Sequence, residues 1–194
     1  MIKRGLELSP KTEGAFDITL GSVVRLWGFK DGSMHLPASD SIKIALGKSG
    51  IDKIKIINDS LIGKKGKIYL DLSGIAKGYA VDRAFYILEK TGVKSFLINA
   101  GGEIRAKGEG WTTGIQDPFN ESGIVEILYP GKKAVATSGD YENFFEVDGK
   151  RYCHLFDPKT GFPAAKLSSV TVLPDDVTTA DALATAFFIP GIEK

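Results

Sequence analysis

The sequence predicts a mixed α+β fold, largely antiparallel in its sheet and covered by a few packing helices. Three observations lead there. Strand-like runs outnumber helical ones, and they do not alternate with helices as a doubly wound parallel sheet requires. Phe144 to Val147 and Arg151 to Phe156 flank Asp148-Gly149, a dipeptide that closes tight antiparallel hairpins. The 194 residues, 43% of them hydrophobic, make one ordinary domain that buries roughly 70% of its unfolded surface. The single cysteine cannot form an internal bridge, so the core must hold the fold.

In chain order, Gly14-Ala15-Phe16-Asp17 opens into Ile18-Thr19-Leu20, and Val23, Val24, Leu26 and Trp27 then follow at the spacing of one face of a short helix. A second short helix is expected from Asp40 to Lys48, with Ser39 as N-cap and Ile42, Ala45 and Leu46 on one face. Ile54 to Ile57 and Lys67 to Leu72 read as strands. The latter runs into the clearest helix, Ile75 to about Lys90, which Gly92 is placed to close. Short β runs follow at Phe96 to Asn99, Glu103 to Lys107, Thr112 to Ile115, Val125 to Tyr129 and Ala134 to Thr137. After the hairpin come a strand at Ser169 to Leu173 and a last helix from about Ala180. There is no internal repeat, low-complexity tract or linker long enough to divide the chain.

Charge and hydropathy exclude two classes of partner. Lys+Arg 25 against Asp+Glu 24 leaves a formal charge of +1, too weak a field to gather a nucleic acid, and the densest basic stretch, Lys64-Lys65-Gly66-Lys67, is only a short turn. No apolar run approaches the roughly 20 residues of a membrane span, and Met1-Ile2-Lys3-Arg4-Gly5 leads into no apolar signal core. The chain as given reads as soluble and cytoplasmic.

Three places carry candidate chemistry. In Asp71-Leu72-Ser73-Gly74-Ile75-Ala76-Lys77-Gly78 an extended run gives way to a helix, so unpaired N–H groups and the positive end of the dipole face outward, a suitable seat for a phosphate. Lys77 in that first turn opposes the dipole, at a cost of about 0.3–1 kcal/mol, which an anion held nearby would offset. The alternative is a capped turn with a solvated lysine. In the last helix, Asp181 and Thr185 stand four apart on one face and could share a hard cation such as Mg²⁺. Alternatively, Asp181 is an acid favouring the helix's first turn and Thr185 a threonine bonded back to its backbone. His154 lies where a strand meets the loop Asp157-Pro158-Lys159-Thr160-Gly161, a place for a general base, or a structural histidine between Tyr152 and Phe156. Strand alternation sends Cys153 to the opposite face from His154, so the pair is no dyad and Cys153 reads as a small core residue.

Two motifs fail. Leu46-Gly47-Lys48-Ser49 resembles the end of a P-loop, but the earlier glycine falls at Ile42. Asn99-Ala100-Gly101-Gly102 has neither the third glycine nor the helix of a dinucleotide fingerprint and indicates only a tight turn. His35, in the polar loop after Trp27-Gly28-Phe29, has no apparent partner residue.

Taken in order, Gly14 to Asp17, Leu26 to Phe29, Asp71 to Asp82, Asn99 to Gly102, Thr137-Ser138-Gly139-Asp140-Tyr141, His154 to Gly161 and Thr178 to Thr185 resemble the ApbE family of FAD:protein FMN transferases. The resemblance covers nearly the whole chain and implies a single ApbE-like domain over residues 1–194. It implies a Mg²⁺-dependent enzyme that cuts the FAD diphosphate, joins FMN to a threonine hydroxyl of an acceptor flavoprotein and releases AMP. By position, Asp181, Thr185 and the carbonyl of Gly74 would hold the metal. Ala15, Phe16, Asp17, Asp71, Lys77 and Leu155 would line the FAD site, with Ser138 in a glycine turn near it, and His154 would take the threonine proton. The resemblance also implies an N-terminally short member, since relatives usually carry a longer segment before the Gly-Ala-Phe-Asp stretch, often with a lipoprotein signal, and only 13 residues precede Gly14 here. Hydrolysis of FAD to FMN and AMP, or FAD binding without turnover, are the alternatives.

Overall fold

A computed structural model describes residues 1–192. Its elements are α1 (Ile2–Lys11), α2 (Gly21–Leu26), α3 (Ser39–Leu46), β1 (Ile54–Ile56), β2 (Ile62–Lys64), α4 (Ser73–Lys90), β3 (Phe96–Ala100), β4 (Glu103–Lys107), β5 (Thr113–Asp117), β6 (Asn120–Leu128), β7 (Ala136–Gly139), β8 (Phe144–Val147), β9 (Lys150–Cys153), β10 (Ser169–Val172) and α5 (Val177–Phe188). The fold is α+β as expected, and every strand pairing among the described residues is antiparallel. The strands form short two-stranded ladders and not one continuous sheet. The described residues divide into two compact units, one of residues 1–72, 140–167 and 189–192, the other of 73–139 and 168–188.

The first unit is built on aromatic packing. α2 turns Leu20, Val23, Val24 and Trp27 onto Ile42 and Ala45 of α3 and onto Tyr152 and Phe156. Trp27 is fully buried, with the rings of Tyr152 and Phe156 centred 5.5 and 5.7 Å from its own, and its Nε1–H donates to the Gly161 carbonyl at 3.1 Å. That bond satisfies the one polar atom of a large apolar side chain, as burial requires. The β8–β9 hairpin closes across Asp148 and Gly149, both left-handed at φ 52° and 73°, which is the tight turn the dipeptide predicts.

Sequence and structure differ here in several places. α1 was not foreseen: Pro10 sits inside it, and of its buried residues Gly5, Leu8 and Ser9 only Leu8 is a large apolar side chain. A side chain at Gly5 would meet Ile18 Cγ2 at 2.7 Å, so smallness is what allows the contact. Lys67 to Leu72 forms no strand. It is an extended segment tied down by the Gly21 amide donating to the Tyr69 carbonyl and the Asp71 amide donating to that of Ile18, and β2 takes the pairing with β1 instead. The N-cap of α3 is Ala38, not Ser39, and makes no side-chain bond.

The second unit packs on small residues. Val81 of α4, Ala134, Ala136, Val177 and Ala180 form its centre, with Ile98, Ala100 and Val172 against them. α5 starts earlier than expected, at Val177, and buries Ala180, Ala182, Ala184, Ala186 and Phe188, so it is covered on nearly all sides. β3 and β4 turn on Gly101 and Gly102, left-handed at φ 67° and 101°, the tight backbone turn the sequence indicated. β7 pairs with β10, placing Ser138 opposite Val170 inside a ladder and not in a glycine turn. Among the described residues no helix is long and apolar enough to cross a membrane.

Candidate functional site

Five of the residues singled out by sequence lie in the second unit: Gly74, Lys77, Ser138, Asp181 and Thr185. α4 and α5 meet where Gly78 has no side chain. A Cβ there would collide with the Val177 carbonyl and come within 2.9 Å of Asp181 Cβ. The closeness lets the Gly78 N–H donate to Asp181 Oδ2 at 2.9 Å. In a regular helix that amide would serve the carbonyl of Gly74, and α4 is kinked at Gly74, whose ψ is 18°. The amide that serves the Gly74 carbonyl in a regular helix thus donates to a carboxylate.

Asp181 is buried, one turn into α5 and not in its first turn, so the dipole does not account for it. Burial pushes its carboxyl up to about 7; the Gly78 N–H and the Lys77 charge pull it down, and the neighbouring Glu103 adds to the rise. Its Oδ1 makes no hydrogen bond among the described residues. Thr185, one turn further, has its hydroxyl 3.4 Å from that of Ser138.

Lys77 Nζ pairs with a carboxylate of the protein itself, Glu103 Oε1 at 2.8 Å. Glu103 is almost fully buried at the start of β4 and was missed by sequence reasoning, because one carboxylate after a glycine turn resembles a surface residue. Asp82 was missed too, although a signal existed. Ile75, Gly78, Val81, Asp82 and Phe85 keep helical spacing on one face, so an acid stood among residues bound for the interior. Asp82 accepts from the Val177 amide at 3.2 Å, the Thr178 amide at 2.8 Å and the Thr178 hydroxyl at 2.5 Å, and pairs with Arg105.

The donors Asp181, Thr185 and the Gly74 carbonyl fit a hard divalent cation. All are oxygen; one is a buried carboxylate whose desolvation a cation would relieve, and Oδ1 is uncommitted. Mg²⁺ commonly takes one or two carboxylates and leaves the rest of its shell to waters and phosphate. No three His, Cys, Asp or Glu side chains cluster for a metal among the described residues.

The other candidates lie in the first unit. Asp17 Oδ1 accepts from both the amide and the hydroxyl of Thr19 at 2.7 Å, which locks the turn after buried Phe16 and partly buried Ala15. Asp71, nearly buried, accepts from Lys30 Nζ at 2.7 Å. Leu155 is buried. His154 falls just past the end of β9, so strand alternation does not set its direction. Its Nδ1 lies 3.2 Å from the Asn143 carbonyl; a carbonyl only accepts, so Nδ1 is the donor in that contact. Cys153 is a core residue as expected, its Sγ donating to the Ala164 carbonyl at 3.4 Å, and burial raises its thiol pKa.

A family model described as the ApbE family matches residues 1–194. A FAD:protein FMN transferase of Vibrio cholerae is 39% identical over all of this chain and 61% of its own length; that of Escherichia coli K12 is 34% identical over all of this chain and 59% of its own. The chain thus spans about three fifths of the curated relatives it matches. Among solved structures, the ApbE protein of Thermotoga maritima superposes with a TM-score of 0.91 at 39% identity, covering 97% of this chain and 63% of that one. The flavin transferase ApbE of Vibrio cholerae gives 0.86 at 37% identity, covering 99% of this chain and 64% of that one. With a family match over its full length and relatives sharing a third or more of its residues, the chain belongs to the ApbE family.

Proposed function

We propose that this chain transfers the FMN moiety of FAD to a threonine hydroxyl of an acceptor flavoprotein and releases AMP. The observation that carries the reading is the buried Asp181 carboxylate, seated on the Gly78 amide at 2.9 Å in the neighbourhood of Lys77, with Thr185 one turn away. That is an oxygen-donor set beside a cation and a helix N-terminus, the parts phosphoryl transfer needs. The chain's relatives in Vibrio cholerae and Escherichia coli, FAD:protein FMN transferases, support it.

In this reading Asp181, Thr185 and the Gly74 carbonyl hold Mg²⁺, which when bound neutralises charge on the diphosphate. Lys77, steadied by Glu103, adds a second positive charge. Ala15, Phe16, Asp17, Asp71 and Leu155 contact FAD, and Ser138 supports Thr185 through the hydroxyl pair. His154 Nε2 takes the threonine proton as Oγ bonds to the FMN phosphorus, the bridging P–O bond breaks, and AMP leaves with the bridging oxygen. General-base catalysis of this kind contributes about 10²–10⁴-fold.

Incubation with FAD, MgCl₂ and a flavin-acceptor domain should yield covalently attached FMN by mass spectrometry, with stoichiometric AMP. AMP released without acceptor would replace transfer by hydrolysis; FAD bound with neither product would leave a binding protein.

A further inference from the structure

The buried carboxylate of Asp82 takes no part in the chemistry above, and the geometry points to a role for it, resting on the metal reading of Asp181. We infer that Asp82 is a positioning residue: it sets the register of α5 on α4 and so holds Asp181 and Thr185 where they ligate.

Two polar rungs join these antiparallel helices. At one, the Gly78 N–H of α4 donates to Asp181 of α5. At the other, Asp82, one turn along α4, accepts from Val177 and Thr178, one turn back along α5. Four residues on each helix separate the rungs, about one 5.4 Å turn, so locking one sets the other. The carboxylate is fully used. Oδ1 takes the Val177 amide and Arg105, while Oδ2 takes the Thr178 amide and hydroxyl. Those amides belong to the exposed-donor end of α5, where a negative charge is favourable. Arg105 is held in turn, its guanidinium lying 4.1 Å over the Phe85 ring. The buried apolar residues that α4 and α5 give to the centre of the unit are small, Val81, Val177 and Ala180, so directional bonds add to what their packing contributes to the register.

The test is Mg²⁺ titration of the full chain by calorimetry, alongside the ¹H–¹⁵N resonance of Gly78. Asp82→Asn should weaken Mg²⁺ about 10–100-fold, the range for groups that orient metal ligands. Asp82→Ala should weaken it more, and both should shift the Gly78 amide without added metal. Phe96→Leu, a core change in the same unit, should lower the melting temperature and leave Mg²⁺ affinity as it was. If the Asp82 variants do not fold, Thr178→Val removes one bond of the rung and should still weaken Mg²⁺ several-fold. Wild-type affinity in the folded variants, or an unmoved Gly78 resonance, overturns the inference. Equal Mg²⁺ binding by wild type and Asp181→Ala would instead overturn the metal reading, and the Gly78 shift would still report on register.

Discussion

The two units solve the same packing problem with opposite materials. The first surrounds Trp27 with Phe145, Tyr152, Phe156 and Phe162, large rings that fill space and need little polar support beyond one indole hydrogen bond. The second lines its centre with alanine and valine and buries three carboxylates, Asp82, Glu103 and Asp181. Small side chains bring backbones together, and backbones that close can present amides to buried acids. An aromatic core is tolerant of its surroundings; a buried polar network must be satisfied throughout or it costs stability. The unit with more at stake is the one that carries the proposed metal ligands.

That contrast can be broken from either side. Asp181→Asn keeps an oxygen for the Gly78 amide and removes the charge, so Mg²⁺-dependent transfer should disappear while the metal-free melting temperature holds or rises; retained turnover would end the metal assignment. His154→Ala, beside the aromatic core, should slow transfer about 10²–10⁴-fold and leave FAD affinity nearly as it was, read by flavin fluorescence. Trp27→Ala should cost the first unit about 3–5 kcal/mol by denaturant titration, the toll of emptying a large buried ring. Gly78→Ala should cost about 1–3 kcal/mol through overpacking against the Val177 carbonyl, and it should weaken Mg²⁺ binding as well.

The smallest effect is one of pH. Asp181 has a folded pKa near 7 against 3.8 for the free group, so the folded state binds the proton more tightly. The stability this gives is full below about pH 4 and is lost as pH rises through 7. In metal-free protein the melting temperature should therefore carry a downward contribution across that window, absent in Asp181→Asn and opposed by saturating Mg²⁺. A contribution of the other sign would mean that the carboxylate is better solvated than its burial indicates.

How much was legible in the sequence depended on whether a local rule applied. The Asp148-Gly149 and Gly101-Gly102 turns were plain because positive φ is a local demand that glycine and aspartate meet. α4 was plain from its period, and the four-residue spacing of Asp181 and Thr185 put both on one helix, α5. α1 was hidden because its inner face needed smallness, not hydrophobicity, to lie against Ile18. The segment 67–72 misled because an apolar extended run looks the same whether it pairs with a strand or is pinned by the amide of Gly21 and the carbonyl of Ile18. For Lys77 the sequence offered a phosphate seat or a solvated lysine, and nothing local could show its ion pair with Glu103, 26 residues on in sequence.

By itself, then, the chain's order of residues determined the class of fold, the tight turns, the family and the short-range pairs, since each depends on neighbours within a turn or two. Only tertiary structure decided that Asp181 would lie on Gly78, that Asp82 would cap a helix 95 residues away, and that Glu103 would be buried. Those outcomes rest on desolvation and on bonds between distant segments. Neither is a property of any stretch of sequence until packing has removed the water.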